Sequence, residues 1–253
     1  MSPRLAYAGR LVATVVTPLA VWWAIVAVAR PEPFILPGPD RVVLAFIRRW
    51  PELLTHGATT ALEIGLGLVA GCLFGAALAL VMAASPRFAR LATPVIVASQ
   101  SLPTFAIAPV LVLWFGFGLA SKVVMATIII FFPVASAFHD GLSRTDAGLL
   151  DLATLYGADR WQRLTVIRLP AALPGLVSGL RMAATVAPIG AIIGEWVGAS
   201  SGLGLVMMQA NARLQTDFMF AALAVVVALA VLIRLAVDAA TRHLVPWAPE
   251  TAR

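Results

Sequence analysis

The stretch Asp151–Pro170, DLATLYGADRWQRLTVIRLP, is a polar island in a chain that is otherwise apolar enough to lie in a bilayer. Five charged residues fall within it: Asp151, Asp159, Arg160, Arg163 and Arg168. A membrane protein that keeps a charged, helix-prone segment on one side presents a surface to the aqueous phase there. We therefore expect the island to bind a partner on that side.

Composition assigns the chain to the all-α membrane proteins. Of its 253 residues, 61% are hydrophobic and only 12% are charged, whereas soluble domains carry roughly 25% charged residues. The mean hydropathy is +0.95. Unbroken apolar runs such as Phe220–Leu232 suit spanning helices of about 20 residues and do not fit the alternating strands of a membrane β-barrel.

The apolar runs predict about six spanning helices. They cover residues 11–29, 61–84, 91–118, 121–138, 176–197 and 218–237. The third is expected to be kinked or broken, because three prolines and a polar patch at 99–104 interrupt it. The first run is longer than a signal-peptide core, so we expect it to be retained. Residues 30–60 predict an amphipathic helix on the membrane surface.

The charge distribution predicts that both termini lie in the cytoplasm. Arg87 and Arg90 share one short loop, four arginines fall in or beside the island, and Arg4 and Arg10 precede the first span. Such retention of arginine on one side follows the positive-inside rule. The net charge of +6 does not indicate nucleic-acid binding, because the arginines are scattered between apolar runs rather than gathered on one face.

Turn chemistry inside the island predicts a compact knob. Asp140 or Ser143 could cap a short helix that runs through residues 146–156, and Gly157 allows a left-handed or closely packed turn. Asp159 can cap a second short helix over 160–167, which Pro170 and Pro174 are expected to end. The alternative is an ordinary solvated loop between two spans.

The island resembles the EAA motif of ABC transporter permeases. That motif begins Glu-Ala-Ala, has a glycine four residues after the last alanine and closes with Ile-x-Leu-Pro. In this chain Asp151 and Leu152 replace the first two residues, and the rest of the motif is in register at Ala153, Gly157, Ile167, Leu169 and Pro170.

Three further motifs strengthen the resemblance. They are Phe34–Pro39, Pro109–Gly116, and Gly194-Glu195-Trp196 followed by Gly202-Leu203-Gly204. Together they are similar to permeases for nitrate, sulfonate, taurine and thiamine-precursor uptake, over roughly residues 34–240. The resemblance implies a type I ABC importer (MetI-like) transmembrane fold in the bacterial inner membrane. It also implies a first helix with an extracytoplasmic segment (1–60), a core (61–240) and a cytoplasmic tail (241–253).

In that family the EAA loop, here about residues 140–175, couples the permease to its ATPase. The resemblance assigns this role to Asp151, Ala153, Gly157, Ala158, Arg160, Leu169 and Pro170. It implies two cytoplasmic ATP-binding subunits, which would bind ATP and Mg, an extracytoplasmic solute-binding protein and a second copy of this chain, all in contact with membrane lipid. No cofactor is expected in the chain itself.

The sequence contains no ATP site or catalytic centre of its own. A P-loop needs Gly-x-x-x-x-Gly-Lys-Ser/Thr, and Lys122, the only lysine, follows Leu119-Ala120-Ser121. The three histidines lie in separate segments without metal-ligand spacing, and the single cysteine, Cys72, permits no internal disulfide. We therefore expect neither a metal site nor an enzyme.

Five polar or helix-breaking residues are candidates for the translocation path: Gln100, Ser101, Pro103, Glu195 and Asn211. Ionisable groups at membrane depth usually face a pathway, although Glu195 could instead pair with Arg213 or a partner subunit. Glu63 is expected at the membrane interface. The resemblance is strongest to permeases for a hydroxymethylpyrimidine thiamine precursor. Sulfonate, taurine or nitrate is the second candidate, and an ATP-independent channel or secondary carrier is the alternative class.

Overall fold

The structure, a computed structural model, describes the backbone of residues 3–247 and the side chains of residues 16–247. Every regular element in this range is helical. The helices are α1 (Pro3–Ala29), α2 (Pro39–Arg48), α3 (Trp50–Ala84), α4 (Pro86–Ser101), α5 (Thr104–Phe115), α6 (Leu119–Ser143), α7 (Ala147–Leu155), α8 (Arg160–Gln162), α9 (Leu169–Gly198), α10 (Leu203–Ala212) and α11 (Thr216–Thr241). A π-helical turn, Arg163–Arg168, joins α8 to α9. The predicted positions of Arg4 and Arg10 and of the tail beyond residue 247 lie outside the described side chains.

Four helices are long and apolar enough to cross a membrane: α3, α6, the continuous helix Arg160–Gly198 and α11. Helices α4 and α5 meet at a bend of 99°, the geometry of a broken span or of a re-entrant loop. The predicted break in the third apolar run is therefore confirmed, and it falls at Leu102-Pro103. The apolar part of α1 with described side chains, Val16–Ala29, is too short to count, so the sixth span remains a prediction.

The amphipathic helix on the membrane surface is shorter than predicted. It is α2, which buries Val42 and Ala45 against Phe218 and its neighbours on α11. At Trp50 the chain enters α3, so residues 50–60 belong to the second spanning helix. Pro51 lies in the first turn of α3, where a missing N–H costs no intrahelical hydrogen bond.

The prediction that Pro170 and Pro174 end the second short helix is wrong. The chain stays helical from Arg160 to Gly198. Leu169 N–H donates to Leu164 O, five residues back, at the end of the π-helical turn. A π-helical turn widens the hydrogen-bond ladder. Pro170 follows it in the first turn of α9, where a proline is tolerated, and Pro174 lies inside the same continuous helix.

The centre of the fold is α6, which packs between α3 and α9. Small residues make this packing close: a Cβ added at Gly67, Gly71 or Gly75 of α3 would collide with α6. Glycines of α9, including Gly179 and Gly190, approach α6 from the other side in the same way. Small residues spaced by four are how helices approach each other in lipid, where packing rather than the hydrophobic effect drives association.

Candidate functional site

Residues 140–175, which contain the polar island, fold as an ordered knob. Asp146 caps α7, because its Oδ1 accepts from Leu149 N–H at 3.1 Å, whereas Asp140 and Ser143 lie within α6. At the other end of α7 the N–H of Ala158 donates to Ala153 O at 2.9 Å, and that of Gly157 to Thr154 O at 3.0 Å. This pair of bonds is a Schellman motif. Gly157 has φ +77°, which confirms the left-handed turn.

The second half of the knob begins at a capping box. Gln162 N–H donates to Asp159 Oδ1 at 2.7 Å, and Asp159 N–H donates to Gln162 Oε1 at 2.9 Å. The predicted cap at Asp159 is thus confirmed. Arg163 Nη1 donates to Thr154 Oγ1 at 3.0 Å, which joins α7 to the helix that follows. The two short helices therefore form one unit.

Arg168 fastens this unit to the spanning helices. Its Nε and Nη2 donate to Leu142 O at 3.0 and 2.9 Å, and its Nη1 donates to Ala83 O at 3.3 Å. These carbonyls lie in the last turns of α6 and α3, where backbone acceptors have no helical donor and a cation is favoured. Sequence reasoning counted Arg168 among the charges but missed this role, because its partners are remote in sequence.

The knob exposes a patch of large apolar side chains among its charged residues. Leu155 and Tyr156 are each 84% exposed and Trp161 is 69% exposed. Large apolar side chains at a rigid, polar-rimmed surface are typical of a protein interaction site.

The residues that the resemblance assigns to coupling are distributed over this knob. Asp151, Gly157, Arg160 and Pro170 are exposed, Ala158 and Leu169 are half-buried, and Ala153 is buried against the knob's interior.

A second polar cluster lies at the opposite end of the bundle, inside the chain. Lys122 Nζ binds Glu63 Oε1 at 2.7 Å, with side-chain exposures of 5% and 0%. Glu195 is also fully buried, accepts from Thr60 Oγ1 at 2.6 Å, and accepts from Gly204 N–H. We call Thr60, Glu63, Lys122 and Glu195 the buried junction.

The buried junction bears on two predictions. Glu63 is wholly buried within the protein, and its expected position at the membrane interface stays a prediction. Glu195 makes no pair with Arg213 among the ion pairs of residues 16–247. Both its carboxylate oxygens are held by protein donors in the interior, and its place on the translocation path stays a prediction. A buried carboxylate needs such partners, because an unpaired charge in an apolar interior is costly.

The junction holds the loop between α9 and α10 in place. Leu203 N–H donates to Thr60 Oγ1 at 2.9 Å, and Gly202 N–H donates to His56 Nδ1 at 2.9 Å. Gly202 has φ +124°, and a side chain there would meet the Glu195 carboxyl group. The glycines of the Gly-Leu-Gly motif therefore let the backbone approach the Glu195 carboxyl group closely. Within the described residues, no group of three His, Cys, Asp or Glu could hold a metal ion.

The other path candidates fall in three places. Gln100 lines a cavity of about 450 Å³ between α4, α6 and α9. Ser101 and Pro103 are exposed at the break between α4 and α5. Asn211 lines a separate cavity of about 470 Å³ with Phe105 and Trp196. The structure therefore does not bring the five candidates together.

The architecture is that of a multi-pass, all-α membrane protein of the type I ABC importer class. An inward-facing structure of the MetNI methionine ABC transporter matches it with a TM-score of 0.66 over 78% of this chain and 98% of that chain, at 22% identity. Residues 67–248 match the family of binding-protein-dependent transport system inner membrane components. The chain belongs to this family.

Named relatives agree with this assignment. The chain is 46% identical to a probable ABC transporter permease protein of Haemophilus influenzae, over 87% of this chain and 90% of the relative. It is 34% identical to the formylaminopyrimidine transport permease protein ThiX of Halalkalibacterium halodurans, over 90% and 92%. It is 32% identical to the taurine transport system permease protein TauC of Escherichia coli, over 93% and 88%. The chain is an inner-membrane ABC importer permease of the MetI type.

Proposed function

We propose that this permease is driven by separate ATPase subunits that bind the knob at residues 140–175. The observation that carries the proposal is the apolar surface of Leu155, Tyr156 and Trp161, exposed on a rigid unit. An ATPase cleft that covers these side chains would remove them from water and grip the knob. ATP and Mg would be bound by that partner.

The fixed geometry of the knob supports a mechanical role. Helix Arg160–Gly198 is continuous from the knob into the membrane, and Arg168 ties its base to α6 and α3. A displacement of Trp161 by the ATPase would therefore move α9 and its neighbours together. On this proposal ATP binding turns the cavity outward, and hydrolysis resets the inward state.

The assembly we propose contains two copies of this chain, two ATPases and an extracytoplasmic solute-binding protein. The knob and the α3–α4 turn with Arg87 and Arg90 would face the cytoplasm, as would both termini. Arg41, Arg48 and Arg49 line a depression of about 430 Å³ at the opposite end of the bundle. That basic surface would meet the binding protein.

For the substrate we propose a pyrimidine thiamine precursor of the hydroxymethylpyrimidine kind. The identity to ThiX, 34%, supports this choice. The identity to TauC, 32%, is close enough to keep a sulfonate or taurine as the second candidate.

The coupling proposal is tested at Gly157. Gly157→Asp adds a charge and a Cβ at φ +77°, a conformation that asparagine tolerates better than most residues. We expect Gly157→Asp to abolish ATP-dependent uptake of labelled hydroxymethylpyrimidine by cells that carry the whole transporter, while the protein still inserts into the membrane. Gly157→Asn, with the same shape and no charge, is the control and should retain most uptake.

Normal uptake by Gly157→Asp would refute the coupling role. Uptake that persists when the ATPase partner is catalytically dead would instead favour a channel or secondary carrier.

A further inference from the structure

The cavity between α4, α6 and α9 has the size of a small-molecule site. Its volume of about 450 Å³ lies within the usual range for ligand pockets. Along α6 its lining runs from Ile129 to Asp140, a rise of roughly 16 Å at 1.5 Å per residue. It therefore extends from the middle of α6 to the last turn before the coupling loop.

The walls are apolar with a few polar groups. Phe132, Met182 and Val186 supply apolar surface, and the polar side chains are Gln100, Ser136, Asp140 and Ser178. Pro133 of α6 also lines the cavity. It has no N–H, so the carbonyl of Ile129 loses its helical donor and becomes a further acceptor beside the cavity.

The charge of the cavity has one sign. Asp140 is its single acidic lining residue, and no lysine, arginine or histidine lines it. Asp140 is exposed and takes part in none of the ion pairs within residues 16–247. Arg181, on the neighbouring part of α9, is engaged with Asp238 at 2.9 Å. An anion entering here would meet an uncompensated carboxylate, and a donor-bearing solute would meet acceptors.

We propose that Asp140 determines specificity in this cavity: it favours small neutral or cationic solutes that carry N–H donors, such as an aminopyrimidine, and rejects sulfonates and nitrate. The inference rests on the proposed import function and narrows its substrate class. The charge of Asp140 favours a pyrimidine thiamine precursor over a sulfonate or taurine as the substrate.

The local field can be measured without any partner or transported substrate. In full-length permease carrying Cys72→Ala and Ser178→Cys, the introduced thiol faces the cavity. A cationic and an anionic methanethiosulfonate of matched size are reacted with it, and the ratio of the two rates reports the charge nearby. We expect the cationic reagent to react faster. Asp140→Asn should reduce the ratio on the order of tenfold.

The matched control is Glu32→Gln, which removes the same charge from an exposed loop residue that does not line the cavity. It should leave the ratio unchanged. A ratio that Asp140→Asn does not alter would overturn the proposal. Failure of both reagents to reach the introduced thiol would also overturn it, because a cavity closed to water cannot select a polar solute.

Uptake then tests selection. In cells with the whole transporter, Asp140→Arg should reduce the uptake of labelled hydroxymethylpyrimidine relative to labelled taurine by at least about tenfold. Preferred uptake of taurine by the unaltered transporter would overturn the specificity assignment. ATP-independent uptake with the expected thiol rates would contradict the proposed function and leave the charge assignment standing.

Discussion

At the scale of single residues, Lys122 is decisive for the interior of the fold. It is the only lysine in the sequence, and it neutralises Glu63 at 2.7 Å where both side chains are nearly inaccessible. A buried pair of this kind contributes little compared with a well-packed apolar pair, but removal of one partner leaves the other charge unpaired. Replacing Lys122 should therefore destabilise the fold by more than the ion pair itself contributes to stability.

We predict that Lys122→Met lowers the free energy of unfolding by about 3–5 kcal/mol, because it leaves Glu63 buried and unpaired. Thermal unfolding of the purified permease in detergent measures the change. Adding Glu63→Gln to this variant should restore part of the loss, since the charge itself is then gone. A double variant no more stable than the single one would show that the ion pair is not the cause.

At the scale of helices, close contact between α3 and α6 depends on one face of α3. Gly71 lies on that face, where a Cβ would meet Ile130 at 2.6 Å. Gly65 lies on a different, exposed face with nothing within 4 Å. Both residues are glycines of α3. The same substitution at the two sites therefore changes helix propensity equally and differs only in its effect on packing.

Gly71→Leu is expected to destabilise the permease by about 1–3 kcal/mol through overpacking. Gly65→Leu should be neutral or slightly stabilising, because leucine is the better helix former and its side chain would point away from the bundle. The comparison is made on melting temperatures in detergent. Equal effects at the two sites would mean that α3 and α6 do not approach each other closely at Gly71.

At the scale of the whole molecule, its two ends serve different purposes. The buried junction closes one end with hydrogen bonds inside the chain, while the knob at the other end exposes apolar side chains. Leu155 is 84% exposed on the knob, and Phe117 is 75% exposed at the opposite end. If the ATPase binds the knob, Leu155 should contribute to the affinity of the permease for the ATPase, and Phe117 should not.

We predict that Leu155→Ser weakens the permease–ATPase complex roughly tenfold, the effect of truncating an apolar anchor in an interface. Co-purification of the ATPase with tagged permease, followed by titration in detergent, measures it. Phe117→Ser should leave the affinity unchanged. Equal loss in both variants would indicate a general effect on folding instead of a contact at the knob.

The turns of the knob were predictable because their signals are local. Asp159 and Gln162 cap a helix only three residues apart, and Gly157 marks a left-handed turn at the end of one. The continuity through Pro170 was not predictable, because proline usually ends a helix and no local pattern marks the π-helical turn that precedes it. The broken third span was evident from its prolines and polar patch.

The amino-acid sequence was sufficient for the class of protein, four of the membrane-spanning helices and the turns of the knob, because each of these depends on composition, periodicity or short-range capping. The folded structure was needed to show that Glu63, Lys122 and Glu195 meet inside the bundle, and that Asp140 and Gln100 share a cavity. These residues lie on different helices, and a contact between them depends on the helix packing, which no local pattern encodes.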